Sequence, residues 1–140
     1  EDLFQTFREF VDTLSGQAGA WEMVLNEQYI ICITDQSHNR MRIISPIVEV
    51  NRMTEEELLN CMKANFHTAL DVKYAISDGV LWSTFIHPLK ELSEDQVADA
   101  LAQVYNAAVT FGSSYSSTDL FFPGSTKEKP EPPQKGNKKT

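Results

Sequence analysis

Residues 29–50, YIICITDQSHNRMRIISPIVEV, decide the fold. They read as two long β-strands with a turn near Gln36-Ser37. Tyr29, Ile31 and Ile33 alternate with Ile30, Cys32 and Thr34, so the first strand is apolar on both sides of its pleat. Such a strand belongs in the middle of a sheet and needs cover on each face. The second strand sets Arg40 and Arg42 on one face and Met41 and Ile43 on the other, and Pro46, which cannot donate to a ladder, predicts an edge, a bulge or a strand end.

Working outward, Trp21, Met23 and Leu25 alternate with Glu22, Val24 and Asn26, a half-buried strand that turns at Asn26-Glu27 into residue 29. Before it, Leu3, Phe4, Phe7, Phe10, Val11 and Leu14 recur at helical spacing and stop at Gly16, which predicts an amphipathic first helix and a flexible joint over 16–19. After it, Thr54 with Glu57 makes a capping box, and the acidic first turn suits the helix dipole. Leu58, Leu59, Met62, Phe66, Ala69 and Leu70 give this second helix a broad apolar side, predicted to be buried.

Residues 72–77 and 80–87 pair across Asp78-Gly79, a type I′ hairpin signal. In the second of these strands Val80, Trp82 and Ile86 oppose Leu81 and Phe85, so it too is apolar on both faces. Ser93 and Gln96 cap a third helix with the stripe Val97, Leu101, Val104, Ala108 and Phe111, ending at Gly112. Leu120-Phe121-Phe122 reads as a last docking segment. The predicted architecture is α+β, in the order α-β-β-β-α-β-β-α, with five mostly antiparallel strands and three helices on one face. It spans residues 1–122 as a single domain, and a Pro/Lys-rich tail over 123–140 is expected to be disordered.

Composition narrows the function. The chain has 140 residues, 41% hydrophobic, enough for one domain with a core, and no apolar run approaches the ~20 residues of a membrane span. Residues 1–124 hold 7 Lys/Arg against 18 Asp/Glu, while 125–140 hold 5 Lys against 2 Glu, within a total of −8. An acidic body argues against nucleic acid as partner. Cys32 and Cys61 read as buried free thiols, with a single disulfide between them the alternative. The chain begins at Glu1 without Met; the cytoplasm is the expected compartment, with the periplasm or secretion as alternatives.

No phosphate loop or hydrolase elbow occurs. His38, His67 and His87 have no metal-ligand spacing, so no metal or other cofactor is expected. Cys61 and His67 stand nearly two helical turns apart, too far for a nucleophile–base pair. Glu55, Glu56 and Glu57 are explained by the helix start, and Asp71 and Asp78 by turn chemistry. Arg40 and Arg42 share a face and can clamp a carboxylate or phosphate of a partner, or pair internally with Glu22 or Glu49. Tyr74, Trp82 and Phe85 form a candidate aromatic contact patch, with core packing the alternative for at least one of them.

The element order, the segment HNRMRIISPI (38–47) and the segment WSTFIHPLKELS (82–93) resemble the YbjN family, which is placed among proteins of the type III secretion chaperone-like fold. The resemblance covers residues 1–122, and the basic tail does not map onto it. It implies a bacterial, non-enzymatic α+β module, chaperone-like or regulatory, that binds a protein segment and forms a homodimer. On that reading Arg40, Arg42, Tyr74, Trp82 and Phe85 meet the partner. The alternative is a sensor in which a cleft between the second helix and the sheet holds a small apolar ligand oriented by Arg40 or Arg42. Physically, three helices cover one face of the sheet, so apolar area is expected to remain uncovered on the other.

Overall fold

The strand ladder begins earlier than helical periodicity predicts. The computed structural model describes Phe7, Arg8 and residues 11–118. In chain order these hold β1 (Thr13–Gln17), β2 (Ala20–Leu25), β3 (Gln28–Asp35), β4 (Arg40–Glu49), a 3-10 turn (Val50–Arg52), α1 (Glu55–His67), β5 (Lys73–Ser77), β6 (Val80–His87) and α2 (Glu94–Val109). The strands form one sheet in the order β1-β2-β3-β4-β6-β5, antiparallel throughout. The expectation of five strands and three helices is thus corrected to six strands and, among the described residues, two α-helices.

Leu14 explains the discrepancy. It falls three residues after Val11, as a helix requires, but it also stands opposite Met23 in the ladder, so both periods accept it. Gly16 does not stop a helix. It lies opposite Trp21 inside β1 with φ +112, and a Cβ there would run into the Ala20 carbonyl. The expected joint is a hairpin turn at Ala18-Gly19. Phe7 and Arg8 are helical, and Phe7 is fully buried with its ring edge-on to Trp21 at 6.1 Å. Leu3, Phe4 and Phe10 of the predicted first helix, the 120–122 segment and the tail lie outside the described residues.

The turns follow their residues. Asn26 and Glu27 take φ of 49° and 71°, Asp78 and Gly79 take 53° and 76°, and both hairpins close on two residues. Pro46 sits at a register shift between β4 and β6, and β4 continues past this bulge to Glu49. Both capping boxes form, Thr54 with Glu57 and Ser93 with Gln96.

The core lies on one side of the sheet. Met23, Ile30, Cys32, Met41, Ile43 and Leu81 are fully or almost fully buried there, facing Val97, Leu101 and Val104 of α2. Two buried hydroxyls fasten α2 down: Ser83 Oγ donates to the Val104 carbonyl at 2.8 Å, and Tyr74 Oη donates to the Ala107 carbonyl at 2.7 Å. Each uses a buried polar group that would otherwise carry a desolvation cost. After α2 the chain returns to α1, where the Ser117 amide donates to the Thr68 carbonyl at 3.2 Å.

α1 is held differently. The Asn65 side chain mimics a neighbouring strand: its Nδ2 donates to the Tyr74 carbonyl at 3.1 Å, and its Oδ1 accepts from the Tyr74 amide at 2.8 Å. These bonds occupy part of the outer edge of β5, which would otherwise invite another strand.

Candidate functional site

The predicted apolar side of the second helix is corrected by the structure. Small residues, Cys61 and Ala64, face the core and let α1 approach closely, while Leu59, Met62 and Phe66 project into solvent with Leu70 beyond the helix end. At 100° per residue, the outward set lies roughly 160° around the helix from the buried one. Leu58 is half-buried and Ala69 fully buried, so only those two of the predicted stripe turn inward. Phe66 is 84% exposed and packs at right angles to its neighbour His67, ring centroids 4.8 Å apart. The sequence signal was present in the width of the apolar arc, which exceeds what one face can bury.

The second open surface is the sheet face away from α2. Across it, Ile33 of β3, Arg42 of β4 and Ile86 of β6 stand in one row, and Ile31, Ile44 and Thr84 in the next. Ile33 is 43% and Ile86 54% exposed, and Tyr29 on the same face is 38% exposed. Trp82 opposite Pro46 is half-buried and donates its indole N–H to the Ser77 carbonyl at 3.2 Å. Both double-sided strands therefore carry apolar side chains out of the sheet on this face. At its β3–β4 end, Ile33, Asp35, His38, Arg40, Arg42 and Ile86 line a cleft of about 350 Å³.

The five candidate contact residues separate. Arg40, Arg42 and Trp82 share the open face. Tyr74 and Phe85 are buried on the opposite, core side, Tyr74 bonded to α2 and Phe85 stacked on His87 at 5.7 Å between centroids. Alternation along β6 places Trp82 and Phe85 on opposite faces, so the aromatic patch does not form. Arg40 and Arg42 do not stand beside the second helix, where the alternative reading placed a cleft. α1 adjoins β5, whereas the arginines lie on β4 with β6 between, on the face turned from the core.

Electrostatics here are local. Among the described residues the one ion pair is Asp35 with His38, Oδ2 to Nδ1 at 2.8 Å. Asp35 Oδ1 also accepts from Ser37 Oγ at 2.7 Å and from the His38 amide at 3.2 Å. The Ser37 hydroxyl and then the His38 side chain hold this carboxyl down at about 2. Arg40, opposite Asp35 in the ladder, donates instead to the Asn39 carbonyl at 2.9 Å. No pairing of Arg40 or Arg42 with Glu22 or Glu49 occurs. Tyr29 has its phenol pKa pushed up by partial burial and then by the negative charge of nearby Glu22.

Both cysteines are buried and free. Burial pushes the Cys32 thiol up to about 12; burial and then Glu57 push Cys61 up to about 11. Neither is poised as a nucleophile. Among the described residues no three His, Cys, Asp or Glu side chains converge as a metal site, and no helix is long and apolar enough to cross a membrane.

No protein-family model matches the sequence, and no curated protein does. Solved structures do match in three dimensions. A chain of the HopA1–SchA chaperone–effector complex superposes with a TM-score of 0.61 at 12% identity, covering 78% of this chain and 88% of that one. A chain of the ExsC–ExsE complex gives 0.59 at 15% identity, covering 76% and 85%. A chain of the complex between the Yersinia pestis type III secretion chaperone SycH and a fragment of YscM2 gives 0.56 at 12%, covering 78% and 98%. At such identities the likeness is one of fold. This chain has an α+β fold of the type III secretion chaperone kind.

Proposed function

We propose that this chain is a non-enzymatic protein-interaction module, chaperone-like or regulatory, that takes an extended partner segment on its open sheet face and pairs with a second copy of itself along the outward ridge of α1. The observation that carries this reading is the exposed apolar face around Tyr29, Ile33 and Ile86, over which no helix among the described residues is laid. Covering even ~400 Å² of such surface contributes about 10 kcal/mol before association costs. The shared fold supports it, since one matching chain comes from a chaperone–effector complex and another from a complex containing a secretion chaperone. The α1 ridge is the natural surface for a two-fold contact, because a single self-complementary helix face suffices.

Selection of displayed peptide segments on the folded chain tests the reading. Segments rich in apolar residues are expected, with binding abolished by Ile33→Asp or Ile86→Asp while the melting temperature stays nearly constant, because both side chains are about half exposed. Selection of no segment, or binding indifferent to both substitutions, refutes it.

A further inference from the structure

We infer that the segment received on the open face carries a carboxylate side chain between apolar residues, and that Arg40 and Arg42 receive that carboxylate; this rests on the function proposed above. Arg42 has Ile33 on one neighbouring strand and Ile86 on the other, both exposed, so a cation stands in the middle of an apolar row. The acid opposite Arg40 in the ladder is already engaged. Asp35, opposite Arg40, accepts from Ser37 and from the His38 amide and contacts the His38 ring. Glu22 lies two strands away on β2, its charge felt by Tyr29.

Arg40 spends one donor on the Asn39 carbonyl, which leaves most of its fork for a partner. No ion pair involves Arg40 or Arg42 among the described residues. A guanidinium beside apolar surface binds a carboxylate more strongly than a fully hydrated one, and the planar fork accepts both oxygens.

Geometry sets the pattern of the segment. Adjacent strands lie about 4.8 Å apart, so the row Ile33–Arg42–Ile86 spans roughly 10 Å, while alternate residues of an extended segment repeat at about 6.7 Å. An acidic residue with an apolar residue two positions to either side therefore fits the row within side-chain reach. Charge argues against a polyanion as occupant: the chain carries −8, which repels nucleic acid but leaves a single carboxylate flanked by apolar groups admissible.

The probe is a fluorescent, end-capped peptide with Leu at alternate positions around one central Glu, compared with the same peptide carrying Gln, by fluorescence anisotropy. The Gln peptide is expected to bind about tenfold more weakly to the unaltered protein. That preference is expected to vanish in Arg40→Gln/Arg42→Gln and to persist in part in Arg40→Lys/Arg42→Lys. Equal binding of the two peptides, with both lost in Ile86→Asp, overturns the carboxylate assignment and leaves the open-face reading standing. Failure of both peptides to bind overturns both.

Discussion

Replacing Phe66 by Gln separates the fold from its assembly. A fully covered phenylalanine side chain buries about 200 Å². With 84% of Phe66 exposed, about 170 Å² remains for a partner to cover, which at ~25 cal/mol per Å² is worth about 4 kcal/mol. A two-fold contact counts the residue twice, and if only half of that area becomes dry the loss is still about 4 kcal/mol, a thousandfold weaker association. The isolated fold gives up only the small covered part of the ring, under about 1 kcal/mol, and Gln favours a helix at least as well as Phe. Sedimentation velocity over a dilution series reads the association, and a melting curve at fixed concentration reads the fold. The expected result is a variant that dissociates at concentrations where the unaltered chain is paired and that remains cooperatively folded. An unaltered chain that is monomeric at high concentration refutes the homodimer. A variant that stays paired, or that loses as much stability as a core substitution, refutes the assignment of the α1 ridge as the contact.

Three further outcomes follow from the interior and the turns. Asn65→Ala withdraws both bonds to Tyr74 at the β5 edge and is expected to lower the unfolding free energy by about 2 kcal/mol in denaturant titration; a loss below ~0.5 kcal/mol would mean that water replaces the clamp. Cys32 and Cys61, with thiols pushed up to about 12 and about 11, should stay silent toward an aromatic disulfide reagent at neutral pH until denaturant is added, and a fast-reacting thiol in the folded protein contradicts their burial. Asp35 is held at about 2, below an ordinary carboxylate at 3.8. Because the folded value is the lower one, its contribution to the β3–β4 turn is complete above pH ~4 and disappears as pH falls through about 2. NMR of the Asp35 carboxyl carbon should show that midpoint, and a value near 4 would dissolve the assigned hydrogen bonds.

Much of the ladder was legible in residue order because each signal is local. Asn26-Glu27 and Asp78-Gly79 announce two-residue turns through backbone angles few residues tolerate, and the Thr54 and Ser93 boxes mark helix starts within four residues. Leu14 shows the limit: one leucine satisfies two periodicities, and only its opposition to Met23 across a hairpin selects the strand.

The residues alone determined that strands β3 and β6 are apolar on both faces, since alternation is a property of the chain itself. The tertiary structure decided which side chains are left out. Tyr74 and Phe85 went to the core with α2, while Arg40, Arg42 and Trp82 stayed outside. α1 turned its large apolar residues to solvent because the small Cys61 and Ala64 let it sit close to the core. That choice depends on which side the long helix covers and how near the short one can approach, distances between elements far apart in the chain that no local pattern encodes.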